Sequence, residues 1–140
     1  MSRIFWDSNL FIYFLEGSGE RAAATKRLRN SMLERGDQML TSTLTLGEIL
    51  VKPLQNGDTL LCQKYEQALS TIAMVVPFDL KAARRYAAIR SSTSVKAPDA
   101  IQLACAGEAG VDLFVMNDRR LQGKRVGGIQ FIVALEQVPL

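Results

Sequence analysis

Short β-favouring apolar runs alternate with longer segments of helical composition from one end of the chain to the other, and this alternation confines it to the α/β class. The strand candidates are Arg3–Trp6, Gln38–Ser42, Met74–Phe78, Leu113–Met116 and Ile129–Val133. Between them, helices are expected over Leu10–Leu15, Glu20–Arg35, Thr43 to Pro53, Thr59–Thr71, Leu80–Ser91 and Asp99–Ala109. Asp7-Ser8-Asn9, Gly17-Ser18-Gly19, Gly36-Asp37, Asn56-Gly57-Asp58 and Gly110 supply the caps and breaks, and Pro98 stands where a helix tolerates proline best. Ser8, Thr43 and Thr45 read as capping residues, Trp6 and Tyr86 as core. Strands separated by helices predict a mainly parallel sheet covered on both faces. In such sheets ligands bind beyond the carboxyl ends of the strands.

With 140 residues, 48% of them hydrophobic, and no repeat or linker, a single domain over 1–140 is expected. No stretch approaches the roughly 20 apolar residues that cross a bilayer. Met1 to Phe14 carries Asp7 and lacks a basic leader with a cleavage site, so the expected compartment is the cytoplasm. Cys62 and Cys105, far apart in apolar helical contexts, read as unpaired. The chain has no histidine, which removes the usual general base, the Ser/His and Cys/His nucleophile systems and most zinc sites. Catalysis is left to carboxylates, hydroxyls and cations. The net charge of +3 is compatible with a polyanionic partner without requiring one.

Of the 14 acids, ten fall in turns or on polar faces, Asp37 and Asp112 among them. Four do not. Asp7 follows Ile4-Phe5-Trp6, Glu48 lies inside Leu44-Thr45-Leu46-Gly47-Glu48-Ile49-Leu50, Asp99 opens a helix after Ala97-Pro98, and Asp118 follows Leu113-Phe114-Val115-Met116-Asn117. Each has an ordinary reading as a cap, a dipole partner or a snorkelling side chain. Together they can face one crevice. Two carboxylates about 4 Å apart repel by roughly 4 kcal/mol at an effective dielectric near 20, so such a cluster needs a cation or raised pKa values. Oxygen donors without His or Cys select Mg²⁺ or Mn²⁺, and the chemistry served is phosphoryl transfer, with a carboxylate able to take a proton from water. Arg90, Lys96, Arg119, Arg120, Lys124 and Arg125 surround the last two acids and can hold a phosphate backbone.

These motifs resemble, in order and spacing, the PIN-domain family and within it the VapC-type toxin ribonucleases of bacterial toxin-antitoxin pairs. Asp7-Ser8-Asn9 resembles the family's opening motif, and Thr43-Leu44-Thr45-Leu46-Gly47-Glu48-Ile49 its glutamate-bearing helix. Pro98-Asp99-Ala100-Ile101-Gln102-Leu103-Ala104 is similar to the Asp-Ala-x-x-x-Ala helix, and Asn117-Asp118-Arg119 to the final acidic turn. Met116 stands in place of the common Thr or Ser, and Arg120-Leu121 in place of Asp-Phe. The resemblance implies a three-layer α/β/α sandwich and Mg²⁺ (or Mn²⁺) held chiefly by Asp7 and Asp99, with Glu48 and Asp118 completing the site. It further implies cleavage of RNA, single-stranded or structured, by water attack on phosphorus, a cognate antitoxin partner and a homodimer. Two alternatives stand beside it. One is a catalytically silent PIN-like module that binds RNA or protein. The other, a phosphatase or receiver-like domain with an aspartyl nucleophile, wants paired acids that Asn9 does not supply.

Overall fold

The computed structural model describes residues 1–139. Its elements run β1 (Arg3–Trp6), α1 (Ser8–Glu16), α2 (Glu20–Arg35), β2 (Gln38–Ser42), α3 (Thr43–Gln55), α4 (Thr59–Ile72), β3 (Met74–Val76), α5 (Leu80–Ser92), α6 (Ala97–Ala109), β4 (Val111–Met116) and β5 (Ile129–Ala134). Short 3₁₀ turns at Arg119–Leu121 and Leu135–Gln137 flank β5. The five-stranded sheet has the order β3-β2-β1-β4-β5, and every pairing is parallel.

The period-two alternation of the strands sorts the core into two layers. Ile4 and Trp6 of β1, Met39 of β2 and Val115 of β4 pack with Leu10, Phe11, Leu28, Met32, Ile49 and Leu69 from α1–α4. The intervening Phe5, Leu40, Phe114 and Ile132 pack with Ala82, Ile89, Leu103 and Ala104 from α5 and α6. Phe5 and Phe114 stack across neighbouring strands at 5.1 Å between ring centroids. The result is a three-layer α/β/α sandwich. Because both faces are covered, the central strands are apolar on both sides. Among the described residues no helix is long and apolar enough to cross a membrane.

Several local expectations shift, each for a visible reason. Asp7 caps α1, so that helix begins at Ser8; Ser42 rather than Thr43 caps α3, its hydroxyl accepting from the Leu44 amide at 3.2 Å. Thr43 instead accepts from the Phe78 amide, just past the point where Pro77 ends β3. Pro53 lies inside α3, which continues to Gln55. Asp37, expected on the surface, has its side chain shielded from solvent: Oδ1 accepts from the Ser2 amide at 2.7 Å and Oδ2 lies 3.3 Å from Arg35 Nε. Asp112 likewise accepts from the Arg3 amide, so both acids tie down the start of β1.

Helix α6 comes unusually close to the loop that feeds β5. A Cβ on Gly107 would lie 2.5 Å from the Gly127 carbonyl oxygen, and one on Gly128, at φ +87°, would lie still closer to that of Gly107. Only glycine fits such a crossing. Arg85 locks the same corner, donating to Glu108 at 2.6 Å and to the Gly127 carbonyl at 2.9 Å. The contact fixes the helix whose other end carries Asp99.

Candidate active site

Strands β1 and β4 are neighbours, yet the chain leaves them in opposite directions: β1 leads towards β2, and β4 towards β5. Their carboxyl ends therefore frame the switch point where an open α/β sheet forms its ligand crevice. Asp7 stands immediately after β1, with its amide donating to the Val115 carbonyl at 3.0 Å. Asp118 lies two residues beyond β4. Asp99 comes from the first turn of α6 and Glu48 from α3, one turn after Thr45.

The four acids feel one another. Asp7 is buried, and its carboxyl is pushed up to about 6, first by burial and then by the charge of Asp99, with Glu48 adding to the rise. The Ser8 amide, 2.5 Å from Asp7 Oδ1, and the Ser8 hydroxyl at 3.2 Å oppose that rise. Glu48 is raised by its own burial and by Asp99, against a lowering contribution from Ser8. Asp99 is raised by burial and then by Asp118, with Arg120 and Lys96 countering. Asp118 goes the other way, because Arg120 embraces it through its backbone amide at 2.9 Å, Nε at 3.0 and 3.1 Å and Nη2 at 2.7 Å.

Asn117 anchors the turn that presents Asp118. Its amide donates to the Tyr13 hydroxyl at 2.7 Å and accepts from Asn9 at 3.2 Å, joining the end of β4 to α1. Tyr13 had no distinguishing mark in the sequence, since it sits in an apolar helix. A cleft of about 150 Å³ opens beside Asp99 and Asp118 and is lined by Lys96, Arg120 and Lys124. The other basic residues singled out in the sequence are engaged elsewhere. Arg90 caps the Tyr86 ring, Arg119 pairs with Glu136 at 2.8 Å, and Arg125 lines a separate groove beside α5.

A model of the PIN domain matches residues 4–126. The chain belongs to the PIN domain family. No curated protein matches it. Among solved structures its fold is similar to VapBC2 from Rickettsia felis bound to a DNA fragment from their promoter, with TM-score 0.74 and 12% identity over 94% of this chain and 98% of that one. It is similar too to a toxin-antitoxin complex from Klebsiella pneumoniae, with TM-score 0.67 and 22% identity over 93% and 99% of the two chains. DNA-bound VapBC from Salmonella typhimurium gives TM-score 0.66 and 21% identity over 96% and 99%.

The donor set of this PIN domain suits a hard divalent cation. Its candidate ligands are all carboxylate oxygens, and the buried Asp7 carboxyl is pushed up to about 6 for want of a compensating charge. Among the described residues no three acids stand close enough to hold an ion as they are placed. One Asp7 oxygen is occupied by Ser8 and both Asp118 oxygens by Arg120, so Asp118 would have to exchange its guanidinium partner for a metal.

Proposed function

We propose that this PIN domain is a metal-dependent endoribonuclease of the VapC type, the toxin of a two-protein toxin-antitoxin pair. The observation that supports the reading is the coupling of Asp7, Glu48 and Asp99 to one another, and of Asp99 to Asp118, at the switch point of a PIN fold, with the buried Asp7 carboxyl pushed up to about 6. Asp7 and Asp99 would hold Mg²⁺ or Mn²⁺ with Glu48 and Asp118 completing the set; when bound, the ion supplies Lewis acidity at the phosphorus centre.

The chain's own groups do the remaining work. Glu48, whose carboxyl is raised above its ordinary value by burial, can accept the proton of an attacking water. Lys96, Lys124 and Arg120 line the cleft next to Asp99 and can hold the phosphates of a nucleic-acid strand. The reaction adds water across a phosphodiester: a phosphorus–oxygen bond forms with the water oxygen, another breaks, and the departing oxygen gains a proton. The absence of histidine from the chain agrees with a carboxylate-only mechanism. The similar VapBC structures support a cognate antitoxin as partner, and a homodimer acting in the cytoplasm completes the proposal.

The test is cleavage of a labelled single-stranded RNA with and without Mn²⁺. Asp7→Asn and Asp99→Asn, each folded by circular dichroism, are expected to lose roughly 10²- to 10⁴-fold of the Mn²⁺-stimulated rate. Retained activity in both variants rejects the proposal. The capture of Asp118 by Arg120 favours the silent binding module as second reading, and that reading predicts RNA binding with no Mn²⁺-dependent turnover.

A further inference from the structure

Asp7, Glu48 and Asp99 come from three separate elements, so something must fix the distances between a strand end and two helices. Packing alone is a poor candidate at this spot, because the interior beneath the acids is polar. Thr41, Ser42, Thr45 and Gln102 are all buried, at 0 to 1% exposure, in an otherwise apolar core. Gln102 lies one turn after Asp99 on α6, and Thr45 one turn before Glu48 on α3, so each shares a helix face with an acid.

We propose that Gln102 is a positioning residue for the acidic site, keying α6 to α3, β2 and the end of β1 through one continuous chain of hydrogen bonds. The Ser42 hydroxyl donates to Gln102 Oε1 at 2.5 Å while accepting from the Leu44 amide. Gln102 Nε2 donates to Thr45 Oγ1 at 2.9 Å. The Thr45 and Thr41 hydroxyls are 2.7 Å apart, and Thr41 donates to the Trp6 carbonyl at 2.8 Å. A hydroxyl has one proton, so Thr41, having given its own to Trp6, must receive that of Thr45. Every hydroxyl in the chain then donates once and accepts once. The order also fixes the amide: the oxygen of Gln102 faces Ser42 and its nitrogen faces Thr45.

The chain begins at the cap of α3, passes through α6 and ends on the carbonyl of the residue before Asp7. It therefore spans the roots of three of the four acids, and its geometry is set by hydrogen-bond length rather than by the softer fit of side-chain shape. A residue retained only to fill space would tolerate an apolar isostere, since apolar replacement of a buried polar group can be neutral when its partners adjust. A positioning residue would not. A shift of about 1 Å among reacting groups can cost on the order of 10²-fold in rate even when the altered residue is remote from the chemistry.

The proposal rests on reading the acids as an ion-holding, phosphodiester-cleaving site, and the experiment separates the two. Mn²⁺ affinity is measured by calorimetric titration, and kcat and KM for RNA cleavage by initial rates, on the full chain and on Gln102→Leu, Thr45→Val and Thr45→Ser. Gln102→Leu and Thr45→Val are expected to weaken Mn²⁺ binding about 10-fold and to lower kcat by about 10- to 100-fold, with KM changed by less than about threefold. Thr45→Ser, which keeps the hydroxyl, should restore both to within about twofold of the parent. Folded Gln102→Leu and Thr45→Val proteins with parental Mn²⁺ affinity and kcat overturn the positioning role, as does a Thr45→Ser protein impaired as badly as Thr45→Val. Should Gln102→Leu fail to fold, the Thr45 pair decides by the same ratios. A parent chain that binds no Mn²⁺ overturns the ion-holding reading and the positioning role with it, whereas normal parental binding with unaltered variants overturns the positioning role alone.

Discussion

The floor and the rim of the acidic crevice treat the same side chain in opposite ways. Asp7, on the floor, is shielded from water, faces Asp99 and Glu48, and is pushed up to about 6. Asp118, on the rim, retains 27% side-chain exposure and is held below its ordinary value by Arg120. One carboxylate is short of positive charge, and the other has already been given it by the chain. Burial decides the first because no cation reaches it; hydrogen bonding decides the second because a guanidinium folds back two residues along the chain. A divalent ion would thus be drawn to the floor and would have to compete for the rim.

The largest expected effect on this contrast is at Asp7. With a folded value near 6 against 3.8 unfolded, ionising Asp7 costs the native state about 3 kcal/mol, an order-of-magnitude figure. Native Asp7 holds its proton more tightly than unfolded Asp7, so the associated stability is fully present below pH 3.8 and is lost as the pH rises through about 6. Asp7→Asn keeps an oxygen to cap α1 and removes the charge. It is expected to stabilise the metal-free protein by roughly 1–3 kcal/mol at pH 7.5 in urea unfolding, while abolishing cleavage. A variant less stable than the parent at that pH would break the contrast.

A smaller effect should come from the ion itself. Mn²⁺ at about 100 times its dissociation constant should stabilise the parent chain by roughly 2.7 kcal/mol at pH 7.5. Thermal melts with and without the ion check this, and Asp7→Asn should lose most of the increment. At pH 5, where protons compete for Asp7, the increment should shrink in the parent too. An increment independent of pH would place the ion away from the floor.

The smallest effect belongs to the rim. Arg120→Gln frees Asp118 and removes one cation from the cleft. Mn²⁺ binding is expected to tighten by about two- to fivefold, since an exposed ion pair is a weak competitor, while the KM for RNA rises by a similar factor. Tighter metal binding with unchanged KM would show that Arg120 serves only as a latch on Asp118. Weaker metal binding would show that it is no competitor.

Much of this was legible in the sequence because it depends on local patterns. The alternation of short apolar runs with helical segments required a parallel sheet covered on both faces, and Gly36, Gly110 and the Asx clusters marked where elements stop. All four acids stood out because each follows or interrupts an apolar run. Asp37 was misassigned to the surface, and the backbone contact of the half-buried Asp112 went unread, for the complementary reason: in a turn or at a strand start, an acid that caps a distant backbone amide looks the same as one that faces water. The roles of Tyr13 and of the buried Thr41, Ser42, Thr45 (read only as a cap) and Gln102 were not legible either, because a lone polar residue in an apolar strand or helix acquires meaning only from partners tens of residues away.

Sequence alone therefore determined the class of fold, the candidate acids and the restriction to oxygen chemistry imposed by a chain without histidine. Those properties follow from side-chain type and from periods of two and 3.6 residues, which are local. Tertiary structure alone decided which acids are desolvated, which one Arg120 neutralises and which hydroxyls tie their elements together. Electrostatic energies and hydrogen bonds depend on separations of a few ångströms between segments up to a hundred residues apart in the chain, and only the folded packing sets those separations.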